Sequence, residues 1–97
     1  DIFQYLDVTD SGVAGADRDL IEDFSQGNDV IDLSAIGATS YAGGAFTGNA
    51  GEVISYLVAG GTRTMVQFDE DGDAVADLAV TILNAGLTLT AADFLLA

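Results

Sequence analysis

The densest set of hard oxygen ligands in the chain is Asp69-Glu70-Asp71-Gly72-Asp73-Ala74-Val75-Ala76-Asp77, with aspartates at relative positions 1, 3, 5 and 9. Carboxylates at that spacing converge when a loop curls around a hard cation, and Ca²⁺ takes about six to eight oxygens in flexible geometry. The segment departs from an EF-hand loop, because its glycine stands at position 4 instead of 6 and position 12 is Val80, so the bidentate glutamate is missing. The same residues also suit a solvated acidic turn between two strands. Other chemistry finds few side chains. With no His, Cys or Lys, zinc-protease and Ser-His-Asp constellations, thiolate chemistry and Schiff-base lysines are all excluded. Paired carboxylates suffice for a glycosidase, but 97 residues leave little room for a substrate cleft. The expectation is a chain that is not itself an enzyme.

The charge balance narrows the partners. Sixteen acidic residues against two basic ones give a formal charge of -14, and the resulting self-repulsion opposes folding unless cations bind or screen it. The same field repels phosphate backbones and anionic headgroups, so no nucleic acid is expected as a partner. No run approaches the roughly 18 apolar residues of a membrane helix, so no membrane insertion is expected. A hydrophobic content of 49% is ample for a packed interior and argues against disorder despite the charge.

The elements that must position the acidic loop read as strands. Ile2 to Val8 alternates imperfectly, with Phe3 and Tyr5 on one face and Ile2, Gln4 and Leu6 on the other. Asp10 to Asp19 reads as a small-residue loop. Asp17 to Ile36, DRDLIEDFSQGNDVIDLSAI, reads as a strand, a reversal through Ser25 to Asp29, and a returning strand, with Ser34 placed to cap one helical turn. Gly37 to Gly51 reads as a surface loop anchored by Tyr41 and Phe46. Glu52 to Val58 and Thr62 to Phe68 form a predicted hairpin through Ala59-Gly60-Gly61, and on its second arm Thr64, Val66 and Phe68 share the apolar face. Leu78, Val80 and Ile82 define the buried side of another strand, which Asn84-Ala85-Gly86 ends. Thr90-Ala91-Ala92-Asp93 fits a capping box ahead of the apolar tail Phe94-Leu95-Leu96. The sum is a β-meander with few or no helices.

These stretches together carry a resemblance. The pattern D-x-I-x-D-F, a Gly-Asx turn and D-x-I-D-L-S-A-I resembles the C-terminal domain of serralysin-type secreted metalloproteases, and more broadly the RTX proteins exported by bacterial type I secretion. Asp1-Ile2-Phe3-Gln4 looks like the end of an RTX nonapeptide, G-G-x-G-x-D-x-U-x, with Phe3 in the large apolar position. Ala45 to Val53 is similar to the family's F-x-G-x-A-G-E-V segment. The acidic loop Asp69 to Asp77 and the ending Leu89 to Ala97 match in type and order.

The resemblance implies an all-β fold in which a remnant of a parallel β-roll is capped by an antiparallel sheet or sandwich, forming one domain over residues 1–97. It implies that the chain begins inside a calcium repeat and continues upstream into a catalytic or repeat domain. Calcium is the implied cofactor. Asp10 of the Asp10-Ser11 pair and Asp19 join Asp69, Asp71, Asp73 and Asp77 as implied ligands, with the extra Arg18-Asp19 leaving open whether Asp17 or Asp19 serves. Asp93, Phe94, Leu95, Leu96 and Ala97 resemble the export signal read by type I ABC exporters, and the same residues also suit a last edge strand. The implied function is a non-catalytic C-terminal module of a secreted, extracellular bacterial protein, carrying the export signal and supporting calcium-dependent folding outside the cell. The alternative is a calcium-stabilised binding module for carbohydrate or a cell surface, for which Tyr41, Phe46 and Tyr56 are the candidate contacts.

Overall fold

The computed structural model describes residues 2–12, 18–83 and 88–97. Among the described residues, eight strands make two sheets, joined by loops and single 3₁₀ turns, and there is no α-helix. Strands β1 (Ile2–Gln4), β3 (Val30–Asp32) and β8 (Phe94–Leu95) form a three-stranded parallel sheet with β3 in the middle. Strands β2 (Asp19–Ile21), β4 (Ser40–Gly43), β5 (Glu52–Val58), β6 (Arg63–Asp69) and β7 (Leu78–Ile82) form the second sheet, in the order β2-β7-β6-β5-β4.

The core lies between the two sheets. Alternation puts Thr64, Val66 and Phe68 of β6 on the buried face, where they stand opposite Ile82, Val80 and Leu78 of β7. Ile31, Leu33 and Phe94 close over them from the smaller sheet, with Tyr5 and Phe24 completing the cluster. Tyr41 of β4 stacks on Phe94 of β8 with ring centroids 5.3 Å apart, and so ties the outer strand of one sheet to the last strand of the other. Phe3 meets Phe24 at 6.2 Å. The first strand is shorter than the Ile2 to Val8 expected, since β1 ends at Gln4 and Val8 opens a 3₁₀ turn, although Tyr5 is buried and Ile2 and Leu6 are exposed. The capping box also holds: Thr90 and Asp93 cap one 3₁₀ turn, Ala91–Asp93.

Four expectations change. The strand, reversal and return of Asp17 to Ile36 do not pair with each other. β2 joins the five-stranded sheet and β3 the three-stranded one, so the Ser25–Asp29 turn carries the chain between layers, with Phe24 dropped into the core on the way. The turn itself is tight, with Asp29 N–H donating to Ser25 O at 2.8 Å and Ser25 N–H donating to the Asp29 carboxylate at 2.8 Å. Ser34 caps no helix through its side chain. Its hydroxyl and N–H both donate to Asp32 Oδ1, at 2.6 and 3.0 Å. The glycine-rich stretch 37–51 contains a strand, β4, parallel to β5. The meander is therefore confined to β5-β6-β7. The capping sheet is antiparallel at its centre and parallel at both edges, through β2 on β7 and β4 on β5. The strand end assigned to Asn84-Ala85-Gly86 lies outside the described residues.

The short return from β4 to β5 depends on Gly51. Its φ is +85°, and a Cβ there would lie 2.6 Å from Thr39 Oγ1 and 2.9 Å from Gly37 O. Gly60, in the β5–β6 connection, also has positive φ at +69°, but a Cβ at that position would meet nothing within 4 Å. Gly60→Ala should cost only the left-handed conformation, about 1 kcal/mol. Gly51→Ala adds a backbone clash and should cost about 2–4 kcal/mol. Denaturant midpoints at a common slope test this, and equal losses would contradict the packing.

Candidate functional site

The acidic loop between β6 and β7 curls back on itself. Oxygens of Asp69, Asp71, Asp73 and Asp77 lie within 4.8 Å of one another, and this is the one such group of three or more among the described residues. Ligands of a single Ca²⁺ sit about 2.3–2.6 Å from it and hence no more than about 5 Å apart, so the spread suits one ion and the all-oxygen donor set suits a hard one.

The four carboxylates are not equivalent. Asp69 ends β6, is 0% exposed, and accepts from Gly72 N–H at 2.9 Å and Ala74 N–H at 2.8 Å. Asp73 accepts from Val75 N–H, and Asp77 from Glu70 N–H. Asp69 thus shapes the loop from inside, while Asp71 and Asp73 face solvent. Gly72 explains the displaced glycine of the motif. Its φ is +80°, and a Cβ would lie 2.8 Å from Ala50 N, so the acidic loop packs directly on the backbone at 48–50.

That neighbouring loop is organised by a residue that the sequence patterns do not single out. Glu52 begins β5, is buried, and accepts from Thr47 N–H at 2.8 Å, Asn49 N–H at 3.3 Å and the Thr47 hydroxyl. The glutamate in A-G-E-V was the available signal, since a buried carboxylate needs donors and a glycine-rich loop supplies free peptide N–H groups.

Asp10 and Asp19 lie apart from this group. Asp10 accepts from Leu6 N–H and Asp7 N–H, closing its own turn. Asp19 opens β2, and with Asp10 it faces the Tyr5 phenol, which is pushed well above its ordinary value by burial first and then by the charge and hydrogen bond of Asp19 and the charge of Asp10. Ser11 is a buried staple: its hydroxyl donates to Ala79 O and accepts from Asp19 N–H at 2.8 Å. Asp1 and Asp17 lie outside the described residues. At the C-terminus, Asp93 accepts from Thr90 N–H at 2.8 Å and Gln26 Nε2 at 3.0 Å, Phe94 is in the core, and Ala97 N–H donates to Ala38 O.

Comparison with known proteins places this arrangement. Residues 1–96 match the family of peptidase M10 serralysin C-terminal domains. The chain belongs to that family. It is 40% identical over 78 residues to the metallopeptidase AprA of Pseudomonas marginalis, covering 78% of this chain and 16% of that protein. It is 38% identical over 103 aligned positions to the mannuronan C5-epimerase AlgE5 of Azotobacter vinelandii, covering 98% of this chain and 10% of that protein. The solution structure of the AlgE6R2 subunit of a mannuronan C5-epimerase from A. vinelandii superposes on the whole chain with a TM-score of 0.64 and 30% identity, over 60% of that subunit. The chain therefore spans a small part of the length of AprA and AlgE5, and it is an RTX-type module shared by proteins of different activity.

The carboxylates predict the acid response of the serralysin-type module. Asp32 is held below the ordinary carboxylate range by the Ser34 hydroxyl and N–H, and Glu52 by the Thr47 hydroxyl and N–H. For Asp69, burial pushes upward, but the N–H groups of Ala74 and Gly72 and the neighbouring loop donors outweigh it and the net shift is down. Asp71 moves up, because it shares a hydrogen bond with Asp73, is desolvated, and feels the charges of Asp73 and Asp77. Depressed groups contribute stability that is full above the unfolded carboxylate value and is lost as pH falls through the folded one; Asp71 has the opposite sign. In metal-free buffer the depressed groups, which include Asp29, lose their contribution between about pH 5 and pH 3, against a relief of general carboxylate repulsion that every variant shares. Glu52→Gln should therefore lose less stability than the native chain over that window, by denaturation midpoint, and equal pH profiles for the two would overturn the assignment.

Proposed function

We propose that this chain is the non-catalytic C-terminal module, residues 1–97, of a type I secreted RTX protein, and that it carries the export signal and folds with calcium after leaving the cell. The match of residues 1–96 to serralysin C-terminal domains carries the reading. An upstream catalytic or repeat domain, a type I ABC exporter and calcium are the partners it implies, and the mature location is extracellular. The described residues contain no helix long and apolar enough to cross a membrane.

The terminal residues support an order of events. Asp93, Phe94 and Leu95 are built into a cap, the core and strand β8, so an exporter reads them before the domain folds. The charge supports the same order. Where calcium is scarce, repulsion among the carboxylates disfavours the compact state, and an ion bound only by the folded form favours it. Asp71, Asp73 and Asp77 with Asp69 would hold that ion, which supplies positive charge to a set of carboxylates that otherwise repel. Asp10 and Asp19, facing Tyr5, are the residues of a second proposed site.

Export is tested by fusing the chain to an unfolded passenger in a host with a type I exporter. The intact fusion should reach the medium and a version lacking Asp93 to Ala97 should stay in the cell; equal export of both, or of neither, would refute the signal assignment. Calcium is tested on the folded chain. At about 100 times its dissociation constant an ion bound only to the native state adds about 2.7 kcal/mol. Calcium should therefore raise the melting temperature, chelator should reverse the gain, and the double substitution Asp71→Asn, Asp73→Asn should abolish the response. An identical response in that variant would exclude the loop as the site.

A further inference from the structure

The acidic loop rests on the backbone at 48–51, which it meets at two points. A Cβ on Gly72 would lie 2.8 Å from Ala50 N and 3.3 Å from both Asn49 C and Gly48 O, and Gly51 N–H donates to Asp69 O at 2.8 Å. Gly72 separates Asp71 from Asp73. The position of those two carboxylates over Asp69 therefore depends on where residues 48–50 lie.

One side chain places those residues. Glu52 is 3% exposed, and its carboxylate accepts from Thr47 N–H at 2.8 Å, from Asn49 N–H at 3.3 Å and from the Thr47 hydroxyl, which in turn accepts from Asn49 Nδ2 at 3.1 Å. Across the ladder Glu52 is paired with Asp69. Acids opposed in this way repel each other, so strand pairing gives no reason for a carboxylate at position 52. Closing the 47–49 turn does. Glu52 lies outside the group of four carboxylates that converge in the acidic loop, so its route to them is the backbone.

We propose that Glu52 is a positioning residue for the cation of the acidic loop: by fixing residues 47–51 beneath Gly72, it sets how well Asp71 and Asp73 converge with Asp69 and Asp77, and hence the affinity of the site. This role rests on the calcium reading above and adds to it a residue that touches no ion. Altering a side chain that holds metal ligands in place typically costs about 10–100-fold in affinity. Coupling of this kind is reciprocal, so an ion that draws the loop together also tightens the turn that Glu52 closes.

The test is calcium titration of the folded chain by calorimetry in about 0.5 M monovalent salt, where the loss of one charge outside the site is strongly screened. Glu52→Gln should weaken binding about tenfold. Thr47→Ala removes the hydroxyl donor without changing any charge; it should weaken binding in the same direction, and the two substitutions together should cost less than their sum. Thr47→Ala also carries the test should Glu52→Gln fail to fold. In ¹⁵N spectra, calcium should slow hydrogen exchange at the Thr47 and Asn49 amides of the native chain and leave them unchanged in Glu52→Gln. Native affinity in both variants, whatever their loss of thermal stability, would overturn the proposal and leave the calcium reading standing. So would Thr47 and Asn49 amides that ignore calcium while residues 70–74 respond. A native chain with no calcium response at all would overturn both.

Discussion

Burying carboxylates on peptide donors is the constraint on which this fold depends. Among the described residues Asp29, Asp32, Glu52, Asp69 and Asp93 are buried, in a chain whose basic side chains are Arg18 and Arg63 alone. Each accepts at least one peptide N–H: from Ser25, Ser34, Thr47, Gly72 or Thr90. All five stand at or beside strand ends, Asp29 and Asp32 flanking β3, Glu52 opening β5, Asp69 closing β6 and Asp93 preceding β8. Strand ends are where peptide N–H groups lose their ladder partners, so one arrangement satisfies both the orphaned donors and the buried charge. Turns that would otherwise be soft are thereby given a single geometry.

The acidic loop shows the same device turned to a second use. Asp69 points inward and organises the backbone, and its carboxyl is held low by the donors it receives. Asp71 points outward among its neighbours, and its carboxyl is pushed up by Asp73 before any other charge. One side chain builds the loop, and the others leave it short of positive charge. That division distinguishes the loop from a plain acidic turn, in which no carboxylate would be buried beneath the rest.

The topology brings the two ends of the chain together. β3 lies between β1 and β8, and Tyr5 N–H to Asp32 O and Leu33 N–H to Leu95 O extend the pairing on both sides. Nearly the whole chain must be present before this sheet can close, and the last residues complete the core through Phe94 on Tyr41.

Local patterns were legible and pairings were not. The alternation of β6 and β7, the Thr90 to Asp93 capping box and the spacing of the four loop aspartates are properties of a few consecutive residues, so the sequence by itself determined them. The Ser25–Asp29 turn was equally visible, but its flanking strands lie in different sheets, because their partners are Gln4 and Phe94 on one side and Val80 to Ile82 on the other. β4 carried no alternation, since Ser-Tyr-Ala-Gly has one large side chain, and its place is set by pairing with β5 and by the Tyr41 ring on Phe94. Which carboxylate is buried and which faces solvent was likewise decided by the tertiary structure. Side-chain period is set by neighbouring backbone geometry, whereas strand partners and burial depend on apolar surface and donors that arrive from residues far along the chain.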